Sequence, residues 1–441
     1  MKPNIVRNSL DIPDGTKDIL GYDMRVREYV IDTIKNVYER FGFQPHQTPI
    51  LEYFTTFDGH HGEGEKLFFH MQDTKQQHMI TRYDLTVPLA RVITMNPNLS
   101  RPYKRYQIGS SFRDDVPSKS HFREFTQCDA DMVGTSSLLA EAEITTMANT
   151  LLKALHIENF TIRINHRQLI KGIAQKVDIH SEEGLLGIQS ALDYADKVTK
   201  DGLQGIINKL VENGIEECTA SLIISNIQGL NQEMEREESL YRKLEVMKSF
   251  FDQQSVVQQG IEELETIFSY MSKDVLERIE IDLTLARGAN YYTGYILEGV
   301  IKDLEIGAVL GGGRYDKLVS SLGVLDEPAV GLAFGLERLL LALEGLQCID
   351  SKSVLKDKVL LMRDEFVSPK YMLSIASELR NYCDVDLYYN SFSKEEGIVY
   401  AHANQYPLIL KVTEAEIKMY DVIENTIFKE RIESIIQRIR K

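Results

Sequence analysis

The stretch YKRYQIGSSFRDDVPSKSHFREFTQCDADMVG runs from Tyr103 to Gly134. Its ends, YKRYQIGSSFRDD and HFREFTQCDADMVG, read as two strands, and its middle reads as a polar loop. Side chains alternate faces along a strand, so Phe125, Gln127, Asp129 and Asp131 share one face. Two carboxylates and an amide stand there where an apolar stripe is normal, which marks the face as a site rather than core. Arg113 ends the first strand, while Arg123 and Phe125 open the second. Pairing the strands sets arginine and an aromatic ring over one place. Guanidinium groups suit phosphates because they donate bidentate hydrogen bonds and stay charged. Phe125 offers a stacking face for a base.

Three further clusters extend this reading. In RYDLT, Arg82 to Thr86, strand geometry turns Asp84 and Thr86 to one side, where both can accept hydrogen bonds from an ammonium group. In TLARGANYYTG, Thr284 to Gly294, Arg287 interrupts two runs that read as buried strands, RIEIDLTLA and YILEGVI. A cation there must be paired, with Asp282 the candidate, or must meet an anion. Tyr291 and Tyr292 either pack in the core or face a ligand. GGGRYD, Gly311 to Asp316, reads as a glycine turn that lets backbone approach a ligand. AVGLAFGLERLLLALEGL reads as a glycine-flanked helix carrying Arg338. The glycines match neither a Walker loop nor a dinucleotide fingerprint, and no nucleophile triad or metal cage is visible. Dispersed arginines, an aromatic platform and a carboxylate pocket together suggest a nucleoside triphosphate held beside a small cationic molecule.

Along the chain, apolar residues at helical spacing predict a helix over 23–41, ended by Gly42. FQPHQTPILEY, with prolines near its start, is expected at a sheet edge or a subunit boundary. Residues 168–274 read as helical and charged throughout. The expected division is a first catalytic part over 1–167, a helical insertion over 168–274, a second catalytic part over 275–348 and a small α/β domain over 357–441. The 441 residues, 43% hydrophobic and 26% charged, fit two to three globular domains. No apolar run approaches the roughly 18 residues a membrane span needs, and MKPNIVRNSLDIPDG has no secretory core. The four scattered cysteines fit reduced thiols in the cytoplasm. A net charge of −16 argues against indiscriminate nucleic-acid binding but leaves room for RNA on a local basic groove.

On these residues the chain resembles the histidyl-tRNA synthetases, which are class II aminoacyl-tRNA synthetases. FGFQPHQTPILE resembles class II motif 1, with Pro49 at the family's dimer contact. FRDD and FREF resemble motif 2, and GLAFGLERL resembles motif 3. RYDLTVPLARV and LARGANYYTG resemble the stretches that select histidine. The resemblance implies a class II α/β architecture, an antiparallel sheet flanked by helices, with a helical insertion and a small C-terminal anticodon-binding-like domain. It implies a cytoplasmic, homodimeric histidine–tRNA ligase using ATP with Mg2+, histidine and histidine tRNA. Asp84, Thr86 and Gln127 would hold the α-amino group. Asp131 and Tyr292 would contact the imidazole, beside Tyr291. Arg113 and Arg287 would flank the α-phosphate, and Arg338 the triphosphate end. Phe125 would carry the adenine, with Asp115 and Arg123 also on ATP. No protein metal site is implied.

The chain departs from the family pattern at several places. Ser120 and His121 replace a common Gly-Arg, Val116 replaces a frequent arginine, and Asn290 replaces an aspartate. NSFSKEEGIVYAHANQ, Asn390 to Gln405, lacks the usual basic helix start. Residues 357–441 hold 12 Lys and Arg against 14 Asp and Glu. Two rival readings follow: a non-catalytic histidine-sensing regulatory subunit of histidine biosynthesis, and a synthetase paralogue with an acceptor other than tRNA.

Overall fold

The computed structural model of the chain describes residues 11–59, 66–119, 121–197, 202–251, 254–287, 291–323, 325–349, 354, 358–389, 393–422 and 426–430. Residues 1–17 with 31–346 form one compact unit, and residues 18–30 with 347–441 form another. Helix α1 (Gly21–Arg40) buries Val30, Ile34, Val37 and Tyr38, and Gly42 behind it takes φ +79. Glycine adopts that left-handed conformation without strain, so the helix stops there.

In the first unit, β1 (Gln44–Pro45) precedes a small antiparallel sheet of β2 (Leu51–Tyr53), β3 (His70–Gln72) and β4 (His78–Thr81). There follow β5 (Tyr103–Phe112), β6 (Glu124–Val133), β7 (Phe160–His166), β8 (Ile279–Ile281), β9 (Tyr295–Ile301), β10 (Leu310–Arg314) and β11 (Ala329–Gly335). With β1 they make an eight-stranded sheet in the order β1-β5-β6-β11-β10-β9-β7-β8. Its inner pairings are antiparallel, and only the edge pairs β1–β5 and β7–β8 are parallel. Proline cannot donate to a ladder, which suits the QP strand to an edge. The long strands β5 and β6 pair across all ten of their positions, so the polar face anticipated for residues 125–131 lies mid-sheet.

Helix α2 (Thr86–Met95) follows the β4 turn. Helix α3 (Leu139–Ala154) packs on β9 and β11. From Arg167 the chain is helical, as expected, through α4 (Arg167–Gln175), α5 (Glu182–Lys197), α6 (Gly202–Glu212), α7 (Glu217–Glu235), α8 (Leu240–Phe250) and α9 (Ser255–Ser269). These helices close on each other through Ile206, Ile227, Leu244 and Ile261, all buried. His166 at the end of β7 reaches Glu263 on α9 at 3.0 Å, which ties the helices to the sheet.

Three local expectations are corrected. Ala329–Gly335, expected as helix, is strand β11, and only α10 (Leu336–Leu346) is helical. The glycines of GGG lie inside strand β10, not in a turn. Both follow from close approach. A Cβ on Gly312 would sit 2.2 Å from the Gly331 carbonyl, and one on Gly331 would sit 2.0 Å from Asp131 Oδ1. Glycine is kept in the sheet centre by its neighbours, not by turn geometry. RIEIDLTLA supplies only the short strand β8. Asp282 then accepts from Thr284 N at 2.9 Å and from its hydroxyl at 2.6 Å, turning the chain out of the sheet.

The second unit holds β12 (Lys358–Arg363), β13 (Asp384–Leu387), β14 (Leu408–Val412), β15 (Ile417–Asp421) and β16 (Thr426–Glu430), in the order β13-β12-β14-β15-β16. β12 runs parallel to both neighbours, the small α/β arrangement anticipated for the tail. α11 (Pro369–Leu379) covers β12 and β13. In α12 (Lys394–Ala403) the Ser393 hydroxyl accepts from Glu396 N at 3.2 Å. Glu395 and Glu396 occupy the first turn of that helix, where the helix dipole favours anions. The acidic SKEEG is thus a sound helix start.

Gly312→Ala is expected to lower stability by about 1–3 kcal/mol, since backbone on the next strand cannot yield. Gly229→Ala, in α7 with nothing within 4 Å of the new methyl, is expected to raise it by about 0.5–1 kcal/mol. Urea denaturation midpoints check both signs.

Candidate active site

The site grows from the register of β5 against β6. Arg105 stands opposite Asp131, Gln107 opposite Asp129, Gly109 opposite Gln127 and Ser111 opposite Phe125. Arg105 is 0% exposed and Asp131 2%. The guanidinium lies 2.7 Å from the carboxylate. The Tyr315 hydroxyl donates to the other carboxylate oxygen, and the missing side chain of Gly331 leaves room for both. Burial raises the Asp131 pKa, against the pull of Arg105 and the Tyr315 hydrogen bond. Neither Arg105 nor Tyr315 was foreseen as part of the site. The signals were an arginine inside the strand pattern YKRYQI and a tyrosine next to GGGR.

RYDLT is not a strand. Asp84 Oδ1 accepts from Thr86 N at 3.2 Å and from Val87 N at 3.0 Å, which caps α2. Thr86 is the first helical residue. The two still serve one pocket, because the turn brings them beside Tyr291. Burial raises the Tyr291 pKa, reinforced by Tyr292 and Asp84 and opposed by a hydrogen bond from Thr86. The Tyr291 and Tyr292 rings lie 4.9 Å apart, and Tyr291 also meets Tyr315 edge-on at 5.7 Å. Arg82 supports the floor, donating to Ser110 O at 2.7 Å and Thr48 O at 2.8 Å. Gln127 continues the β6 face, and its side-chain carbonyl has no partner among the described residues.

Arg287 does not pair with Asp282, which instead meets Arg163 at 3.1 Å. The partner of Arg287 is Glu298 on β9, at 2.6 Å. Turning the chain out of the sheet at Asp282 carries Arg287 over β10 and onto the facing strand. Burial works against the charge of Arg287, but Glu298 and then Tyr292 outweigh it, so the guanidinium pKa is raised and its charge is fixed. Arg287 has φ +53, and a Cβ on Gly311 would fall 1.6 Å from its Nη1. Gly288 and Asn290 lie outside the described residues, as does Ser120.

The Arg113 guanidinium stacks 4.1 Å from the Tyr83 ring centre and 4.9 Å from that of Phe125. Its Nε has no partner among the described residues. Arg123 meets Asp114 at 3.2 Å and donates to the Asp115 carbonyl at 3.1 Å, so it braces the loop, and the Asp115 side chain is solvated beside it. Arg338 donates to Ala308 O at 2.9 Å and lies 3.1 Å from His121 Nε2. Arginine only donates, so that nitrogen accepts. Nδ1 then carries the proton, toward Ser118 Oγ at 3.0 Å.

One face thus carries a fixed cation, a stacked guanidinium, tyrosines and carboxyls, the equipment for holding a phosphate next to an ammonium group. A sequence model described as histidyl-tRNA synthetase matches residues 15–339. The chain belongs to the histidyl-tRNA synthetase family. Over 97% of this chain it is 32% identical to the histidine–tRNA ligase of Cytophaga hutchinsonii, 99% of which is covered. The crystal structure of histidyl-tRNA synthetase from Nostoc sp. PCC 7120 superposes with a TM-score of 0.80 at 25% identity, covering 98% of this chain and 99% of that one. The fold is shared, with a TM-score of 0.71 at 18% identity, by an ATP phosphoribosyltransferase regulatory subunit/histidyl-tRNA synthetase from Bacillus halodurans. That match covers 92% of this chain and 99% of the other. In this member of the family β6 carries Phe125, Gln127 and Asp131, while Asp84 and Thr86 come from the start of α2, Arg287, Tyr291 and Tyr292 from the loop before β9, and Arg338 from α10.

Arg105→Met strands the Asp131 carboxyl. The expected loss is about 3–5 kcal/mol at neutral pH. Without the cation the folded-state pKa of Asp131 rises further, and a raised carboxyl contributes stability at low pH that is lost as pH climbs through it. The deficit should therefore be smaller at pH 5 than at pH 8, measured by urea unfolding of both proteins.

Proposed function

We propose that this chain is a histidine–tRNA ligase, activating histidine with ATP and transferring it to histidine tRNA. The observation that carries the reading is Arg287, a charge-fixed guanidinium, in one pocket with Asp84, Asp131, Tyr291 and Tyr292. Asp84, Thr86 and Gln127 surround the α-ammonium group. Asp131 and Tyr292 meet the imidazole, with Tyr291 lining the same wall. The substrate carboxylate attacks the α-phosphorus of ATP, and pyrophosphate leaves. The terminal ribose hydroxyl of the tRNA then attacks the carbonyl carbon of the adenylate, and AMP leaves.

Catalysis here is positioning plus neutralisation of charge at phosphorus. Arg113 bridges the carboxylate and the α-phosphate, and its stacking between Tyr83 and Phe125 holds its plane before substrate arrives. Arg287 opposes it from the other side. With Arg113 over one face of Phe125, the adenine takes the other. Asp115 and Arg123 border the adenine, and Arg338 meets the triphosphate end. The neutral His121 holds Arg338 in place without competing for anions. Magnesium enters on the phosphate oxygens of ATP.

The segment at Pro49 is the proposed contact of a homodimer working in the cytoplasm. Residues 168–274 form the proposed insertion between catalytic parts 1–167 and 275–348, and 357–441 form an anticodon-binding-like domain. A regulatory histidine sensor is disfavoured by the retained Arg113, Arg287 and Arg338 and by the C-terminal unit. The excess of acid over base in that unit favours one second reading, transfer to an acceptor other than tRNA, because a phosphate-binding surface leans basic.

Histidine-dependent exchange of labelled pyrophosphate into ATP is the test of activation, and its absence from folded protein would sink both enzymatic readings. Charging of a histidine tRNA transcript separates them. Arg287→Ala, made with Glu298→Gln so that no lone carboxylate remains, should slow exchange at least about 100-fold, near 3 kcal/mol. An unchanged rate would leave Arg287 as nothing more than a partner for Glu298.

A further inference from the structure

Three carboxyls converge under the tyrosines of the pocket, and their hydrogen-bonding states differ. Asp131 already has Arg105 and Tyr315. Asp84 Oδ1 caps α2. Asp129, two residues before Asp131 on the same face of β6, is 1% exposed, and neither of its oxygens has a hydrogen-bond partner among the described residues. A buried carboxyl with both oxygens free is a costly feature unless something arrives to use it.

We infer that Asp129 joins Asp84, Thr86 and Gln127 around the α-ammonium group of histidine, and that histidine binding drives a proton off Asp129 as it does so. This rests on the reading that the pocket binds histidine, and it adds a substrate-binding residue to that reading.

Charge balance makes the case. The groups facing Asp129 are Arg105 from β5, Asp131 from its own strand, Arg82 and Asp84 from the turn before α2, Tyr38 from α1, and Tyr291 and Tyr292 from the loop before β9. The tyrosines are neutral, since burial raises their hydroxyl pKa values. Two guanidiniums therefore face three carboxyls, and Arg82 is already engaged with backbone carbonyls. Arg287, the next cation, is neutralised by Glu298. The pocket is one positive charge short when all three carboxyls ionise. Without substrate the deficit is met by a proton. Burial raises the Asp129 pKa, opposed by Arg105 and reinforced by Asp131 and Asp84. With substrate, the ammonium supplies the missing charge, the Asp129 O–H proton passes to buffer, and the freed oxygens accept from N–H. Gln127, two residues away on the same face, with no partner for its side-chain carbonyl among the described residues, gives the ammonium a further acceptor.

The sign of the pH dependence follows. Below the raised value the free protein carries the proton and binding releases it. Above that value the free protein is already ionised and the release disappears.

Titration of the full chain with L-histidine, without ATP, in two buffers of different ionisation enthalpy reads the proton directly. Release of up to one proton per histidine bound, declining as pH rises, is expected. In Asp129→Asn the release should vanish and affinity should fall at least about tenfold. The preference for histidine over imidazolepropionate, which lacks the ammonium group, should shrink with it. Because the protonated Asp129 of the free protein and its Asn replacement are both uncharged and of similar shape, the apo variant should melt close to the parent. Buffer-independent heats for the parent protein, or unchanged affinity and preference in the variant, would overturn the assignment. The parent's heats decide the matter even if the variant does not fold. Absence of any histidine binding by folded parent protein would instead overturn the functional reading beneath it.

Discussion

A carboxylate at the centre of an antiparallel sheet must be met by a cation on the adjoining strand, and Asp131 is met by Arg105 at 2.7 Å. The pair is buried, so it is intolerant of error. A slip of β5 by one residue would turn Arg105 to the opposite face and leave Asp131 uncompensated. The pair thereby sets the register of β5 and β6, and that register places Phe125, Gln127 and Asp129 along the same face. On the far side of β6, Gly331 leaves the space that Asp131 fills. Tyr315 closes the arrangement from above and links it to the tyrosines of the loop before β9.

The three arginines expected to act on ATP are held in three different ways. Arg287 is held by a carboxylate, Arg113 by two aromatic rings, and Arg338 by a carbonyl and an imidazole. Each mode fixes the position of the guanidinium, which is what a preorganised phosphate site requires. His121, an oddity in the sequence, becomes intelligible beside Arg338. A second arginine there would repel Arg338, whereas a neutral imidazole accepts from it.

Much of the pocket was legible because strand periodicity is a strong constraint. Phe125, Gln127 and Asp131 share a face for the simple reason that alternate strand residues do. Arg113 was placed by the same pairing. The readings of RYDLT and GGG were less sound. A capping aspartate and a strand aspartate look alike in one dimension, and glycines in a turn look like glycines under a close neighbour. The helix read across Ala329–Gly335 failed for that last reason, since Gly331 answers to Asp131 and the Ala130 carbonyl on β6.

Composition and local pattern by themselves determined the helical stretch after β7, the α/β tail and the polar face of β6. These depend on residue spacing, which the chain carries locally. Only the tertiary structure decided that Arg287 meets Glu298 instead of Asp282, that Arg105 and Tyr315 both meet Asp131, and that the buried Asp129 has no hydrogen-bond partner among the described residues. Those outcomes depend on which strands become neighbours and in what register. The balance of buried charge settles that across the whole sheet, so no local stretch contains it.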